Sequence, residues 1–159
     1  GLVGRGIDTN RVLLEQCQQR GLSVAEGDCL AYLQDQPDAS LGAVTVIHLI
    51  EHLAFPRLIG LVDEIVRVLK PGGMAIFETP NPFNLLVGSH NFYLDPTHRN
   101  PLPSAVVQFL AEARGLCRVT VKNLHPYPST MRLHGSEVAE RLSDHLYGPQ
   151  DYAVIGWKV

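Results

Sequence analysis

Leu69-Lys70-Pro71-Gly72-Gly73-Met74-Ala75-Ile76-Phe77-Glu78-Thr79-Pro80-Asn81 is the stretch that decides the fold. Pro71 and Gly72 stop a helix and turn the chain. Met74 to Phe77 is a short apolar run, as expected of a strand covered on both faces. It ends in Glu78-Thr79-Pro80-Asn81, and polar residues at a strand's carboxyl end mark where open α/β sheets hold their ligands. Upstream, Leu58, Leu61, Val62, Ile65, Val66 and Leu69 recur at three and four, which predicts a helix over Phe55–Leu69. Leu41 to His48 is another buried strand, followed by Glu51-His52. Strand, helix and strand make one βαβ unit.

The units before it follow the same alternation. Leu2–Ile7 and Leu22–Glu26 read as strands, Asn10–Arg20 as a helix capped by Thr9 or Asn10 and stopped at Gly21, and Cys29–Gln34 as a short helix. After the Leu69–Asn81 stretch the texture changes. Asn81–Pro103 holds four prolines among Asn, His and aromatic residues, which predicts a long loop. Phe83, Phe92 and Tyr93 argue that it is ordered. Ser104–Ala113 reads as a helix capped by Ser104, Cys117–Leu124 as a strand, Val138–Tyr147 as a helix and Asp151–Val159 as a strand.

Bulk properties exclude several classes. The 159 residues suit a single domain, residues 1–159, and 45% hydrophobic with 18% charged residues is ordinary for a globular chain. The net charge of −3 and the lack of a basic run argue against a nucleic-acid partner. Cys17, Cys29 and Cys117 show no CxxC spacing, so a reducing, cytoplasmic setting is expected. No apolar run approaches the roughly 20 residues that cross a bilayer.

The "VLKPGG" turn before a buried strand, the acids after earlier strands and "LVGSHNFYLDPTHRNPLP" together resemble class I S-adenosylmethionine (SAM) methyltransferases. The last of these motifs resembles bacterial members of surface-polysaccharide and O-antigen assembly. The resemblance implies an α/β, Rossmann-like, mostly parallel sheet flanked by helices, with an antiparallel last strand. It also implies a truncated N-terminus, because the family's first strand and glycine-rich loop have no counterpart in Gly1-Leu2-Val3-Gly4-Arg5-Gly6. On that expectation, these residues alone bind SAM badly or not at all.

Candidate site residues sit where strands end. Asp8 follows the first strand, where a carboxylate accepts from ribose hydroxyls, or else caps a helix. Asp28 follows Gly27; the resemblance implies that it accepts from the adenine amine with the Cys29 backbone nearby, while a turn and N-cap is the plainer reading. His48 joins this cofactor set. For His48-Leu49-Ile50-Glu51-His52 three readings stay open. His52 could be a general base assisted by Glu51, since imidazole titrates near working pH. His48, Glu51 and His52 could hold a metal, as some quinone-pathway members use this region for a divalent ion. Glu51 and His52 could also be structural. No metal is assigned. His90, Tyr93, Asp95 and His98 in the 81–103 loop are the substrate-side candidates, because aromatics stack on sugar faces while Asp and His take hydroxyls.

The expected function is methyl transfer from SAM to an oxygen of a small molecule or glycan. The alternative is a non-catalytic or fragmentary methyltransferase-like module that works by pairing with a partner or a second copy through an unpaired sheet edge. A nicotinamide dehydrogenase is a third, weaker fit, since "LKPGG" and the histidine-rich loop do not suit it.

Overall fold

The computed structural model describes residues 3–159. Leu2, the first residue of the expected first strand, lies outside them. That strand is shorter than expected: β1 is Gly6–Asp8, so Asp8 closes the strand itself. Helix α1 (Arg11–Gln19) follows, and Asn10 is its cap, accepting from the N–H groups of Val12 and Leu13. β2 (Val24–Glu26) pairs parallel with β1, and α2 (Cys29–Gln34) follows it.

β3 (Leu41–Ile47) leads through a 3-10 turn, Ile50–His52, into α3 (Phe55–Val68). The apolar stripe of α3 is buried as its spacing predicts: Leu58, Leu61, Val62, Ile65 and Val68 join one core with Val46, Ala75, Phe77, Tyr152 and Val154. Full burial of side chains of this size contributes roughly 1.5–3 kcal/mol each before entropy is counted.

The Lys70–Gly73 segment corrects the expected turn. β4 runs unbroken from Leu69 to Pro80, and the four residues form a bulge within it. Leu41 pairs with Leu69 and Ala43 with Met74, so Gly42 alone stands opposite residues 70–73. Two glycines are needed there for different reasons. Gly72 has φ +77°. At Gly73 a Cβ would lie 2.8 Å from the Lys70 carbonyl oxygen and 3.1 Å from that of Gly42. Beyond the bulge β4 alternates buried and half-buried positions, so both faces are covered.

The expected 81–103 loop is partly helical. Asn84 caps α4 (Leu85–Ser89), and a 3-10 turn spans Asn91–Leu94. Two buried asparagines clamp its start to the segment where the last strand begins: Asn81 Nδ2 donates to the Pro149 carbonyl (3.1 Å) and Asn84 Nδ2 to that of Gly148 (3.1 Å). The Arg99 N–H donates to the Glu51 carbonyl (2.9 Å), and the buried Tyr152 hydroxyl to that of Leu102 (2.8 Å). Helix α5 is Ser104–Ala113, but Ser104 is not its cap. Pro103 holds the cap position in extended conformation, and Ser104 is already one residue inside the helix.

β5 (Leu116–Pro126), α6 (Glu137–Tyr147) and β6 (Pro149–Lys158) complete the chain. The sheet order is β3-β4-β6-β5, with β6 alone antiparallel to its neighbours, so the expected antiparallel insertion of the last strand is present. Among the described residues β1 and β2 form a separate parallel pair, and β1 and β3 each pair on one side only. Because β5 and β4 run the same way, their carboxyl ends meet the start of β6 at one rim: Pro80 and Leu124 both lie opposite Asp151.

Candidate functional site

That rim gathers histidines and acids from five segments. His48, just past β3, has φ +47° and donates its N–H to the Glu78 carbonyl of β4 (3.0 Å). The left-handed backbone is a strained choice for a residue with a Cβ. It places the ring among three carboxylates: Nδ1 is 3.3 Å from Glu51 Oε1, while Nε2 is 3.8 Å from Glu78 and 3.9 Å from Asp151. Glu51 raises the His48 pKa, burial opposes it, and the charges of Asp151 and Glu78 add to the rise; the net direction is up. His125 closes the same group from β5, 2.9 Å from Asp151 Oδ2.

Glu51 is fully buried. Oε2 accepts from the Thr79 hydroxyl (2.8 Å). Among the described residues Oε1 has no hydrogen-bond partner, and His48 Nδ1 approaches it at 3.3 Å. Burial pushes the Glu51 carboxyl up, but His48, Glu51's own N–H and Thr79 more than offset it, and its pKa falls below the usual range. Having no exposed surface, Glu51 does not meet a substrate from solvent as it stands; it positions its neighbours.

His52 stands one residue on and is half-buried. Its Nδ1 lies 2.9 Å from Thr97 Oγ1, and the Thr97 hydroxyl is 2.6 Å from Asp95 Oδ1. A carboxylate only accepts, so the Thr97 proton points to Asp95 and the Thr97 oxygen accepts from His52 Nδ1–H. Among the described residues the His52 Nε2 has no hydrogen-bond partner. The Thr97 hydroxyl and N–H hold Asp95 below its ordinary pKa, which keeps this chain anchored by a charge. His98 Nδ1 donates to the Phe92 carbonyl (2.6 Å), and its ring meets that of His52 edge-on at 4.6 Å.

Of the substrate-side candidates, the structure brings Asp95 and His98 to His52. His90 is exposed and bonds Asn91 Oδ1 (2.9 Å), and Tyr93 stacks edge-on against Phe92 while remaining largely exposed. A cleft beside them is lined by Pro80, Val87, Phe92, His98 and Asp151.

The early acids sit on the β1–β2 pair. Asp8 Oδ1 accepts from the Asn10 N–H (2.7 Å); among the described residues Oδ2 has no partner and the side chain is exposed. That is the state a ribose-binding carboxylate needs. Asp28 is more committed: Oδ1 caps α2 through the N–H groups of Leu30 and Ala31, and Oδ2 pairs with Arg57. Cys29 opens α2, and burial pushes its thiol pKa up. Its N–H belongs to a first turn that has no intrahelical acceptor.

Sequence reasoning marked Glu78 and Thr79 only as the polar end of a strand and missed Thr97, Asp151 and His125. Asp95-Pro96-Thr97 carries a readable signal, because an Asp two residues before a Thr favours the local turn seen here. Nothing local points to Asp151 or His125, which reach the rim through strand register alone.

Residues 4–77 match the methyltransferase domain family. A Mycolicibacterium smegmatis protein named a probable S-adenosylmethionine-dependent methyltransferase is 37% identical over 79 residues, which is 50% of this chain and 30% of that relative. An Archaeoglobus fulgidus SAM-dependent methyltransferase superposes with a TM-score of 0.85 at 29% identity, covering 97% of this chain and 75% of its own. A Haemonchus contortus phosphoethanolamine N-methyltransferase, solved with S-adenosylhomocysteine, shares the fold at a TM-score of 0.67 and 18% identity, over 99% of this chain and 44% of its own. By sequence over its first half and by fold over nearly its whole length, the chain is similar to SAM-dependent methyltransferases.

Proposed function

We propose that the chain uses S-adenosyl-L-methionine to methylate an oxygen of a small molecule or glycan, with His52 as the base. The observation that carries this reading is the Asp95–Thr97–His52 chain of hydrogen bonds, which leaves the Nε2 lone pair unspent at the carboxyl rim of the sheet. The matched family and the relatives support the cofactor. The residues present fit it in one respect that counts: Asp8 offers an unspent carboxylate oxygen at the end of β1, suited to ribose hydroxyls. Asp28 fits less freely, because an adenine amine competes with Arg57 for Oδ2. The Cys29 backbone lies beside the same position. The three acids around His48 would hold a positively charged group of the cofactor by their negative field.

When bound, the cofactor supplies a methyl group already activated by its sulfonium, so most of the catalysis is positioning. His52 Nε2 takes the acceptor hydroxyl's proton as the oxygen becomes nucleophilic, and Thr97 and Asp95 stabilise the imidazolium that results. Glu51 positions this group by tying its carbonyl to Arg99 and its carboxylate to Thr79. The 81–103 segment, fastened at several points, forms the acceptor wall, and its exposed His90 and Tyr93 suit sugar hydroxyls and faces.

The test is methyl transfer to nucleotide sugars and lipid-linked glycans. His52→Ala should lower turnover by about 10²-fold or more while leaving cofactor affinity intact. Undiminished turnover would remove His52 from the mechanism. The unpaired sides of β1 and β3 favour a second reading, a module that self-associates through strand edges. A tight dimer in sedimentation analysis would favour it, and a monomer would count against it.

A further inference from the structure

The cleft beside the rim has a one-sided hydrogen-bonding character. Its volume is about 390 Å³, within the range of small-ligand sites, and Pro80, Val87 and Phe92 make its apolar side. Asn91, His98, Gln150 and Asp151 make the polar side. Asn91 is spent: its Nδ2 donates to the Tyr127 hydroxyl (3.0 Å), and its Oδ1 accepts from His90 Nδ1 (2.9 Å). Gln150 Nε2 donates to the His125 carbonyl (3.0 Å), and His98 Nδ1 to that of Phe92. Among the described residues this leaves Gln150 Oε1, His98 Nε2 and Asp151 Oδ1 without a hydrogen-bond partner. All three are acceptors (His98 in its neutral form), while each amide nitrogen has already given one of its two protons.

Asp151 is the strongest acceptor of the three, because it carries a charge. Its Oδ2 accepts from His125 Nδ1 (2.9 Å), and its Oδ1 lies 3.9 Å from His48 Nε2, beyond hydrogen-bond distance. Both flanking histidines have left-handed backbones, with φ +47° at His48 and +49° at His125. That conformation costs energy in a residue with a Cβ and gathers at functional sites. The charge around the cleft is one-sided as well. Glu78 Oε1 lies 3.8 Å from His48 Nε2 and 3.9 Å from His125 Nδ1, and Glu51 Oε1 lies 4.0 Å from His98 Nε2. A protonated His48 offsets only one of these three carboxylates, so an anion is disfavoured here.

We propose that this cleft holds a polyhydroxyl group without negative charge, a pyranose ring in the simplest case, with Asp151 Oδ1 accepting from one of its hydroxyls and His125 holding Asp151 in place. This deepens the acceptor reading above and rests on it for what becomes of the bound sugar. A pyranose supplies several O–H donors around an apolar face, which match the three acceptors and the Phe92 side. A carboxylate or phosphate brings further acceptors and like charge instead. Any phosphate of a nucleotide or lipid carrier therefore lies outside the cleft. Asp151 is then the residue that selects the acceptor, and His125 is a positioning residue. His52 keeps its role as the base.

The experiment is a saturation-transfer NMR titration of the chain without cofactor, at about pH 8, where ordinary imidazoles are mostly neutral. The probes are the methyl pyranosides of glucose, mannose and galactose, each beside its 6-carboxylate and 6-phosphate forms. At least one neutral glycoside should bind saturably, and its charged forms about tenfold more weakly or worse. Asp151→Ala should weaken the neutral glycoside about tenfold, while Asp151→Asn, which removes only the charge, should narrow the gap between neutral and charged forms. His125→Ala should weaken binding, and His125→Asn, which keeps a donor near the Nδ1 position, should recover it. His134→Ala, at an exposed histidine elsewhere, should change nothing. No binding by any neutral glycoside, equal binding of the charged forms, or an unchanged gap in Asp151→Asn would overturn the proposal. Methyl transfer is read separately. Glycoside binding without methyl transfer leaves the cleft standing and sinks the reaction, and methyl transfer with no neutral glycoside bound sinks the cleft alone.

Discussion

The β3–α3–β4–β6 interior and the carboxyl rim above it are built from the same strands, yet they follow opposite rules. The interior is apolar, continuous and local in its logic: α3 presents its stripe at every third and fourth residue, and Phe77, Ala75 and Val154 meet it from the sheet. The rim is polar and assembled from residues far apart in the chain. Thr97 and His52 are 45 positions apart, and His125 and Asp151 are 26 apart. The contrast teaches that stability and chemistry are stored in different places here. The interior should tolerate no loss of volume, whereas the rim should lose function before it loses fold.

The largest expected effect belongs to the interior. Phe77→Ala should destabilise the chain by about 3–5 kcal/mol in urea unfolding, since the side chain is fully buried and its loss leaves a cavity in the core. A cost below about 1 kcal/mol would break the comparison. Tyr152 lies at the boundary, packed in the core with its hydroxyl tethering the 81–103 segment through Leu102. Tyr152→Phe should cost roughly 1–2 kcal/mol by leaving that buried carbonyl unpaired. It should also speed proteolysis of the segment, measured by limited digestion. Asp28→Ala should cost about 1 kcal/mol through loss of the α2 cap. If Asp28 also contacts adenine, cofactor affinity falls beyond what the lost stability explains. Thr97→Val should leave the unfolding midpoint nearly unchanged yet lower turnover about tenfold, because the His52 ring loses the partner that sets its tautomer. A matched loss of stability and activity would mean that rim and interior are not separable in the way described.

This division also explains what could be read from sequence. The α3 stripe, the Met74–Phe77 strand and the Asn10 and Asp28 caps are legible because period and cap chemistry are local. The Lys70–Gly73 bulge was legible as a break but not as a bulge, since only strand pairing shows that β4 continues through it. The short α4 was missed because prolines and asparagines read as loop, although Asn84 is a good cap. Ser104 was misplaced by one residue, because Pro103 can hold the cap position without a side-chain hydrogen bond. At the site, Glu51, His52, Asp95 and His98 stood out by residue type. That His98 faces Glu51, while His90 does not, depends on how the segment folds over β4, and no spacing encodes that directly.

The central claim is that the β1 end and the rim together hold S-adenosyl-L-methionine. Calorimetric titration of the chain with S-adenosylhomocysteine and with the cofactor itself tests it most directly. The account predicts one saturable site in the micromolar range, weakened at least tenfold by Asp8→Ala with no change in fold by circular dichroism. Absence of binding by the folded chain, or an affinity indifferent to Asp8, would contradict it.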